Sequence, residues 1–246
     1  MSNDSHAPSG VFITFEGGEG VGKTTHINFL ARALRSQGRE VVCLREPGGT
    51  AIGEELRAVV LDPANVDMAD ETELLVYEAA RAQIVHQVIG PALLRGAVVL
   101  CDRFYDSTVA YQVYGRGLSR EFVRQANEFA CQGMHPHRTV LLETASSASV
   151  GLERATHHGQ ADRMEQAGLD FHTRVNQAFH DIAEVEPERM RVIVSQEAKS
   201  ATARLIFTAV ADVVGWNPEA LPFDEEFFQM VNCKNSDEKA VIERIG

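Results

Sequence analysis

The chain has 246 residues, of which 44% are apolar, 24% charged and 7% aromatic, ordinary proportions for a globular protein. That length suits one large domain, or one domain with an appendage, and it buries a full core without disulfide or metal staples. A net charge of −12 argues against sequence-independent nucleic-acid binding, which depends on clustered lysine and arginine; a few convergent cations and backbone amides still suffice for a local anion pocket.

Short apolar, β-branched runs alternate with longer helical patterns. Val11 to Phe15 predicts a strand buried on both faces. Thr24 to Ser36 follows as a helix, with Ile27, Leu30, Ala31 and Leu34 on one apolar face and Gly38 as its stop. Val41 to Leu44 predicts the second strand. Helices are expected over Glu54 to Leu61, stopped by Asp62-Pro63, and over Glu71 to Ile89, stopped by Gly90-Pro91. Val98 to Cys101 is the third strand, Thr139 to Leu142 the fourth and Arg191 to Val194 the fifth. Further helices are expected at Arg120 to Cys131, Ser149 to Thr156, Leu169 to Val185 and Lys199 to Val214, the last stopped by Gly215.

This alternation predicts an α/β fold with a mostly parallel sheet covered on both faces. Ligands in such sheets bind beyond the carboxyl ends of the strands. The longest apolar runs, such as Ala97 to Cys101, fall far short of the ~20 residues that span a bilayer. Met1 to Gly10 is polar and shows no leader, and is expected to be flexible. Cys43, Cys101, Cys131 and Cys233 lie far apart with no Cys-x-x-Cys, so neither a disulfide framework nor a zinc knuckle is expected, and a reduced cytoplasmic enzyme fits. His135 and His137 likewise show no metal-ligand spacing. After Gly215 the character changes. Residues 216–246 hold Pro218, Pro222, seven acids, three bases and one apolar cluster, Phe227 to Val231. An acidic extension that docks through those aromatics is expected, with a partner-binding segment as the alternative.

Gly17-Gly18-Glu19-Gly20-Val21-Gly22-Lys23-Thr24 fits G-x-x-x-x-G-K-[ST] in full. It follows the first strand and opens a helix, the context that the motif demands. Glycines permit backbone angles closed to other residues, so successive N–H groups turn inward as an anion nest, and the helix dipole adds positive potential. Lys23 is expected to reach the β- and γ-phosphates of a nucleoside triphosphate, with the Thr24 hydroxyl on Mg²⁺. Asp102, closing the third strand, stands where such proteins hold the metal. The loop alone does not say whether the acceptor is water, a protein or a small molecule.

The acceptor is addressed by other motifs. Arg45-Glu46-Pro47-Gly48-Gly49-Thr50 follows the second strand; Asp102-Arg103-Phe104 precedes Ser107, Ala110-Tyr111-Gln112 and Gly115-Arg116-Gly117. With Phe15-Glu16-Gly17 running into the loop, these motifs, in this order, resemble the bacterial thymidylate kinases over roughly Val11 to Gly215. The resemblance implies a P-loop NTPase fold with a five-stranded parallel sheet flanked by helices and a short lid at about 151–165. It also implies transfer of the γ-phosphate of ATP to dTMP, dependence on Mg²⁺, and a homodimer. The residues agree with this. A monophosphate acceptor must be held in line with the donor, which needs cations on both sides of the transfer. Arg103, beside Asp102, can fork onto a phosphate, and Arg57 offers a second contact. Tyr77 and Arg81, four apart, share one helix face.

In the family, the position of Tyr77 is usually Phe, stacked on thymine; tyrosine stacks equally well. The resemblance further implies that Arg81 bonds the base O4, that Thr108 and Gln112 read the pyrimidine edge, and that Tyr111 packs on the sugar. It implies that Glu19 approaches the 3′-hydroxyl and that Pro47 and Ser107 complete the acceptor site. The P-loop holds Glu19-Gly20-Val21 and no arginine, which resembles the type carrying its catalytic arginine in the lid. Related lids are arginine-rich; here Arg154 and Arg163 flank Thr156, His157 and His158. The expectation is that Arg154 stabilises the γ-phosphate with Arg163 assisting or substituting, that His157 and His158 are exposed lid residues or assist when protonated, and that Asp162 and Glu165 match acidic lid positions. Two other functions fit the same motifs: a kinase of another or broader set of deoxynucleoside monophosphates, and a catalytically weak nucleotide-binding regulator.

Overall fold

Val11–Glu16 (β1) is buried along its whole length, as a central strand with cover on both faces must be. The structure, a computed structural model, describes residues 10–144 and 161–232. In it β1 lies parallel to Val98–Asp102 (β3) on one side and to Arg138–Glu143 (β4) on the other. Val41–Arg45 (β2) extends the sheet beyond β3, and Met190–Val194 (β5) extends it beyond β4. The order is β2-β3-β1-β4-β5, all parallel, the α/β architecture expected from the alternation.

Side chains of β1 point alternately into two layers. Val11, Ile13 and Phe15 pack with Ile27, Leu30 and Leu34 of Lys23–Ser36 (α1). Phe12 packs on the opposite face with Ile84, Val85, Ile89 and Phe104. The second layer is built by Ala51–Leu61 (α2), Asp70–Ile84 (α3), Gly90–Leu94 (α4), Tyr105–Thr108 (α5) and Arg120–Cys131 (α6). Leu169–Val185 (α7), Lys199–Val214 (α8) and Glu225–Gln229 (α9) complete the helices among the described residues.

Two stretches depart from expectation. The helix predicted to stop at Gly90-Pro91 runs on: a π-helical turn at Val85–Ile89 widens the spiral, and Pro91 then falls in the first turn of α4, where a missing N–H costs nothing. Tyr105 to Gly115, for which no helix is expected, forms α5 continued by a π-helical segment over Val109–Gly115. The helix expected at Ser149 to Thr156 lies outside the described residues.

Register positions the site. Phe15 and Arg45 both lie opposite Asp102, so β1, β2 and β3 end level. The segments that follow them, starting at Gly17, Glu46 and Arg103, therefore meet at one edge of the sheet. On the far side of α1 and α8, Trp216, Leu221, Phe223, Phe227 and Met230 pack against the core, with Phe228 and Val231 inside it.

Candidate active site

Gly17 and Gly22 adopt φ of 127° and 93°, values that L side chains rarely take. At Gly17 space also forbids a side chain: a Cβ would lie 2.1 Å from the Leu142 carbonyl oxygen. The loop between them wraps the N-terminus of α1. Lys23 is buried there, its Nζ donating to the carbonyls of Gly17 and Gly18 at 3.2 and 3.0 Å. Burial, together with Arg103, holds its ammonium below the ordinary lysine range. The Thr24 hydroxyl donates to Asp102 Oδ2 at 3.2 Å. This pairs two hard oxygen donors at the mouth of the nest, a set that suits a small divalent cation completed by water and phosphate oxygens.

A cavity of about 620 Å³ begins at this loop and runs between α2, α3 and α5. Five cations (Lys23, Arg45, Arg57, Arg81, Arg103) and five acids (Glu19, Glu46, Asp102, Asp162, Glu165) line it, so the lining is balanced in charge where the chain as a whole is acidic. Arg103 occupies left-handed backbone at φ 68°, a conformation that costs a non-glycine residue and persists where the surroundings enforce it. Here they do. Its N–H donates to the Phe15 carbonyl, and the buried Glu16 carboxylate accepts from the Phe104 N–H and the Ser107 hydroxyl. Burial raises Glu16 to about 7, aided by Asp106. The Arg103 guanidinium donates to Ser107 Oγ and Glu19 Oε1, leaving three of its five N–H groups for a ligand. Burial alone would raise Glu19, but Arg103, Lys23 and the Tyr111 hydroxyl bring it down to about 2. Tyr111, under the Arg103 guanidinium at 5.3 Å, is edge-on to Phe171 and Phe179. Arg57 and Arg45 both donate to the Pro47 carbonyl at 3.0 Å.

At the far end stand Tyr77, Arg81, Thr108 and Gln112. Arg81 is almost wholly enclosed. Its Nε and Nη2 donate to Glu46 Oε2, and its Nη1 to Glu78, Thr108 and Asn127. Desolvation raises the Glu46 carboxyl to about 7 against the pull of Arg81. Tyr77 is half-buried, and desolvation and the nearby Glu73 raise its hydroxyl above the ordinary range, so the phenol stays neutral. Gln112 donates to Glu73 Oε1 at 2.8 Å. Arg163 does not line the cavity: its Nη2 reaches Glu73, its Nε donates to the Val60 carbonyl at 2.9 Å and its backbone N–H to the Leu61 carbonyl. Asp162 and Glu165 line the cavity rim, and the Asp162 carboxylate caps the backbone N–H groups of Met164 and Glu165. Arg154, Thr156, His157 and His158 lie outside the described residues.

Thus Glu19, Pro47, Arg57, Tyr77, Arg81, Arg103, Ser107, Thr108, Tyr111 and Gln112 meet in one cavity with Gly20, Val21, Gly22, Lys23, Thr24 and Asp102. Sequence reasoning missed the buried acids that hold them, namely Glu46, Glu73 and Glu78. For Glu73 a signal existed: it precedes Tyr77 and Arg81 by four and eight residues, on the same helix stripe.

The comparisons point one way. A family model described as thymidylate kinase matches residues 15–206. A thymidylate kinase of Deinococcus radiodurans is 47% identical over 203 residues, covering 82% of this chain and 97% of its own. That of Pseudomonas putida is 45% identical over 206 residues, covering 84% and 97%. The crystal structure of thymidylate kinase from Ehrlichia chaffeensis matches with a TM-score of 0.66 at 31% identity, over 84% of this chain and 100% of that one. Loop, strand order and these likenesses make this a P-loop NTPase fold, and the chain belongs to the thymidylate kinase family.

Proposed function

We propose that the protein transfers the γ-phosphate of ATP to dTMP, giving dTDP and ADP, by direct in-line displacement without a phosphoenzyme. One observation carries this: a single cavity runs unbroken from the anion nest to the pocket of Tyr77, Arg81 and Gln112, so two nucleotides bound at its ends present their phosphates to one another. The backbone amides of Gly17 to Gly22 cradle the donor phosphates, and Lys23 exchanges its two loop carbonyls for β- and γ-oxygens. Arg103 forks onto the acceptor phosphate and Arg57 gives a second contact. Tyr77 stacks on thymine, Arg81 donates to O4, and Thr108 and Gln112 meet the remaining edge. Tyr111 packs on the sugar, Glu19 receives its 3′-hydroxyl, and Pro47 and Ser107 complete the wall. Thr24 and Asp102 would hold Mg²⁺, which would supply positive charge against the donor phosphates. Arg154 supplies the γ-phosphate cation from the lid. Arg163, tied to Glu73 and the end of α2, assists by fixing the lid's return. Lid closure excludes water, which would otherwise hydrolyse ATP.

The working unit is residues 11–215, with 216–246 an extension. We place the enzyme in the cytoplasm, in keeping with free thiols at Cys43, Cys101 and Cys131; no described helix is long and apolar enough to cross a membrane. We assign it a homodimeric state, supported by exposed apolar residues on three neighbouring helices: Ile52 and Val59 on α2, Leu75 on α3, Phe122 and Phe129 on α6. A coupled assay offering dTMP, dUMP, dCMP and dGMP in turn tests the activity, with dTMP expected to be turned over fastest. Preference for another nucleotide would reassign the acceptor. Bound ATP with no phosphorylated acceptor would make the protein a nucleotide-binding regulator.

A further inference from the structure

Glu73 has no role in the transfer described above, yet it is fully buried and ringed by donors. Its Oε1 accepts from Gln112 Nε2 at 2.8 Å and from Arg116 Nε at 3.1 Å; its Oε2 accepts from Arg116 Nη2 at 2.9 Å and from Arg163 Nη2. Burial works to raise the carboxyl, but Arg116, Gln112 and Arg163 outweigh it and hold Glu73 below the usual carboxylate range. The group is therefore ionised at neutral pH, and an ionised carboxylate only accepts hydrogen bonds.

This constrains Gln112. A side-chain amide is almost symmetric in shape, and its donor and acceptor ends exchange by a half-turn. Beside the Glu73 carboxylate that half-turn sets oxygen against oxygen. The nitrogen must face Glu73, which turns the oxygen away from that carboxylate, in a side chain that lines the cavity. Arg81 is constrained in the same way. Glu46 takes its Nε hydrogen and one Nη2 hydrogen, and three acceptors crowd Nη1. One Nη2 hydrogen remains without an acceptor among the described residues, and Arg81 also lines the cavity. The base end of the pocket thus presents a fixed donor and a fixed acceptor.

We propose that Glu73 is a specificity-determining positioning residue, which locks the Gln112 amide oxygen toward the base so that the pocket accepts a pyrimidine donating at N3 and accepting at O4 and rejects one with that pattern reversed. Thymine and uracil carry the accepted pattern; cytosine, with an acceptor at N3 and an amino group at C4, carries the reverse. A freed Gln112 turns over and offers cytosine N3 a donor. Leaving buried polar groups unpaired is what gives such a pocket its discrimination. The inference rests on assigning this cavity to dTMP.

The test compares kcat/KM for dTMP and for dCMP, the latter also as a competitive inhibitor, in the wild type and in Glu73→Gln, Arg116→Gln, Gln112→Met and the Glu73→Gln/Gln112→Met double variant. In Glu73→Gln the new amide can donate as well as accept, the lock is released, and the dTMP/dCMP ratio should fall by about tenfold or more. Arg116→Gln removes a different partner of the same carboxylate and should keep the ratio. Adding Glu73→Gln to Gln112→Met should leave the ratio unchanged. The inference is overturned if Glu73→Gln slows both nucleotides equally, if Arg116→Gln lowers the ratio as much, or if the double variant shifts it further. Should Glu73→Gln not fold, the Gln112 amide protons of the wild type decide. Slow solvent exchange of the Gln112 Nε2 protons, read from resonances absent from Gln112→Met, supports the lock, and exchange as fast as that of an exposed glutamine contradicts it. A wild type inactive on dTMP defeats the assignment of the cavity, whereas an unchanged ratio in an active Glu73→Gln enzyme defeats only this inference.

Discussion

His26 follows the P-loop directly, and its Nδ1 is buried with no partner. Burial, with Lys199 nearby, pushes its imidazole down to about 4. An unfolded chain takes up that proton near 6.5 and the folded one only near 4, so the folded state loses stability as pH falls through this window, by about 3 kcal/mol at most. His26→Leu should therefore lose its stability deficit, or gain an advantage, as unfolding free energies are measured from pH 7 down to pH 4; a constant difference would show that His26 is not held neutral. The lid arginines separate by the same logic of local partners. Arg163 already has Glu73 and the Val60 carbonyl, so Arg154→Ala should cost about 10³-fold in kcat and Arg163→Ala markedly less. Equal losses would return γ-phosphate contact to both. Residues adjacent in sequence to a motif, such as Asp102 and Arg103, were legible because a strand end fixes where they stand. Glu46 and Glu78 were not: a buried acid looks like any surface acid until its arginine is placed beside it.

The strands and most helices were legible from apolar period and stop signals, within a few residues. Gly90-Pro91 misled because a stop signal assumes an α-helical turn, and the π-helical turn before it moves Pro91 to a harmless place. Tyr105 to Gly115 was missed because its polar residues face a cavity rather than solvent, which erases the usual amphipathic contrast. The spacing of Ser107 with Tyr111 and of Thr108 with Gln112 was the available clue. The described part of the extension, 216–232, beyond the family match that ends at residue 206, is a packed element. Phe228 and Val231 lie in the core formed with Phe29 and Phe207, and Arg204 pairs with Glu225 and lies over the Phe228 ring at 4.3 Å. Ending the chain at Gly215 should uncover that cluster and cost on the order of 4 kcal/mol, lowering Tm by roughly 10 °C. An unchanged melting temperature would show that the extension adds nothing to the fold.

At the scale of the molecule, the chain carries a charge of −12, while in the cavity five cations match five acids, so the acidic body holds a charge-balanced pocket with Lys23 and Arg103 inside it. The sheet order makes that place: β1, β2 and β3 end level, so the nest, the Pro47 turn and Arg103 converge though they lie far apart in sequence. The outer surface carries a second feature. Phe129, 85% exposed, lies on the same helix as the exposed Phe122, and apolar patches of this kind mark contact surfaces, in keeping with the proposed homodimer. Phe129→Glu should shift sedimentation from dimer to monomer, and a wild type that sediments as a monomer would remove this proposal.

Where the acceptor lies decides the chemistry, and a crystal structure with dTMP and a non-hydrolysable ATP analogue measures that directly. The thymine ring should lie against Tyr77 with O4 at Arg81 and its phosphate on Arg103, facing triphosphate oxygens held by Lys23. A ring found away from Tyr77 and Arg81, or the two phosphates at separate ends of the cavity, would contradict it.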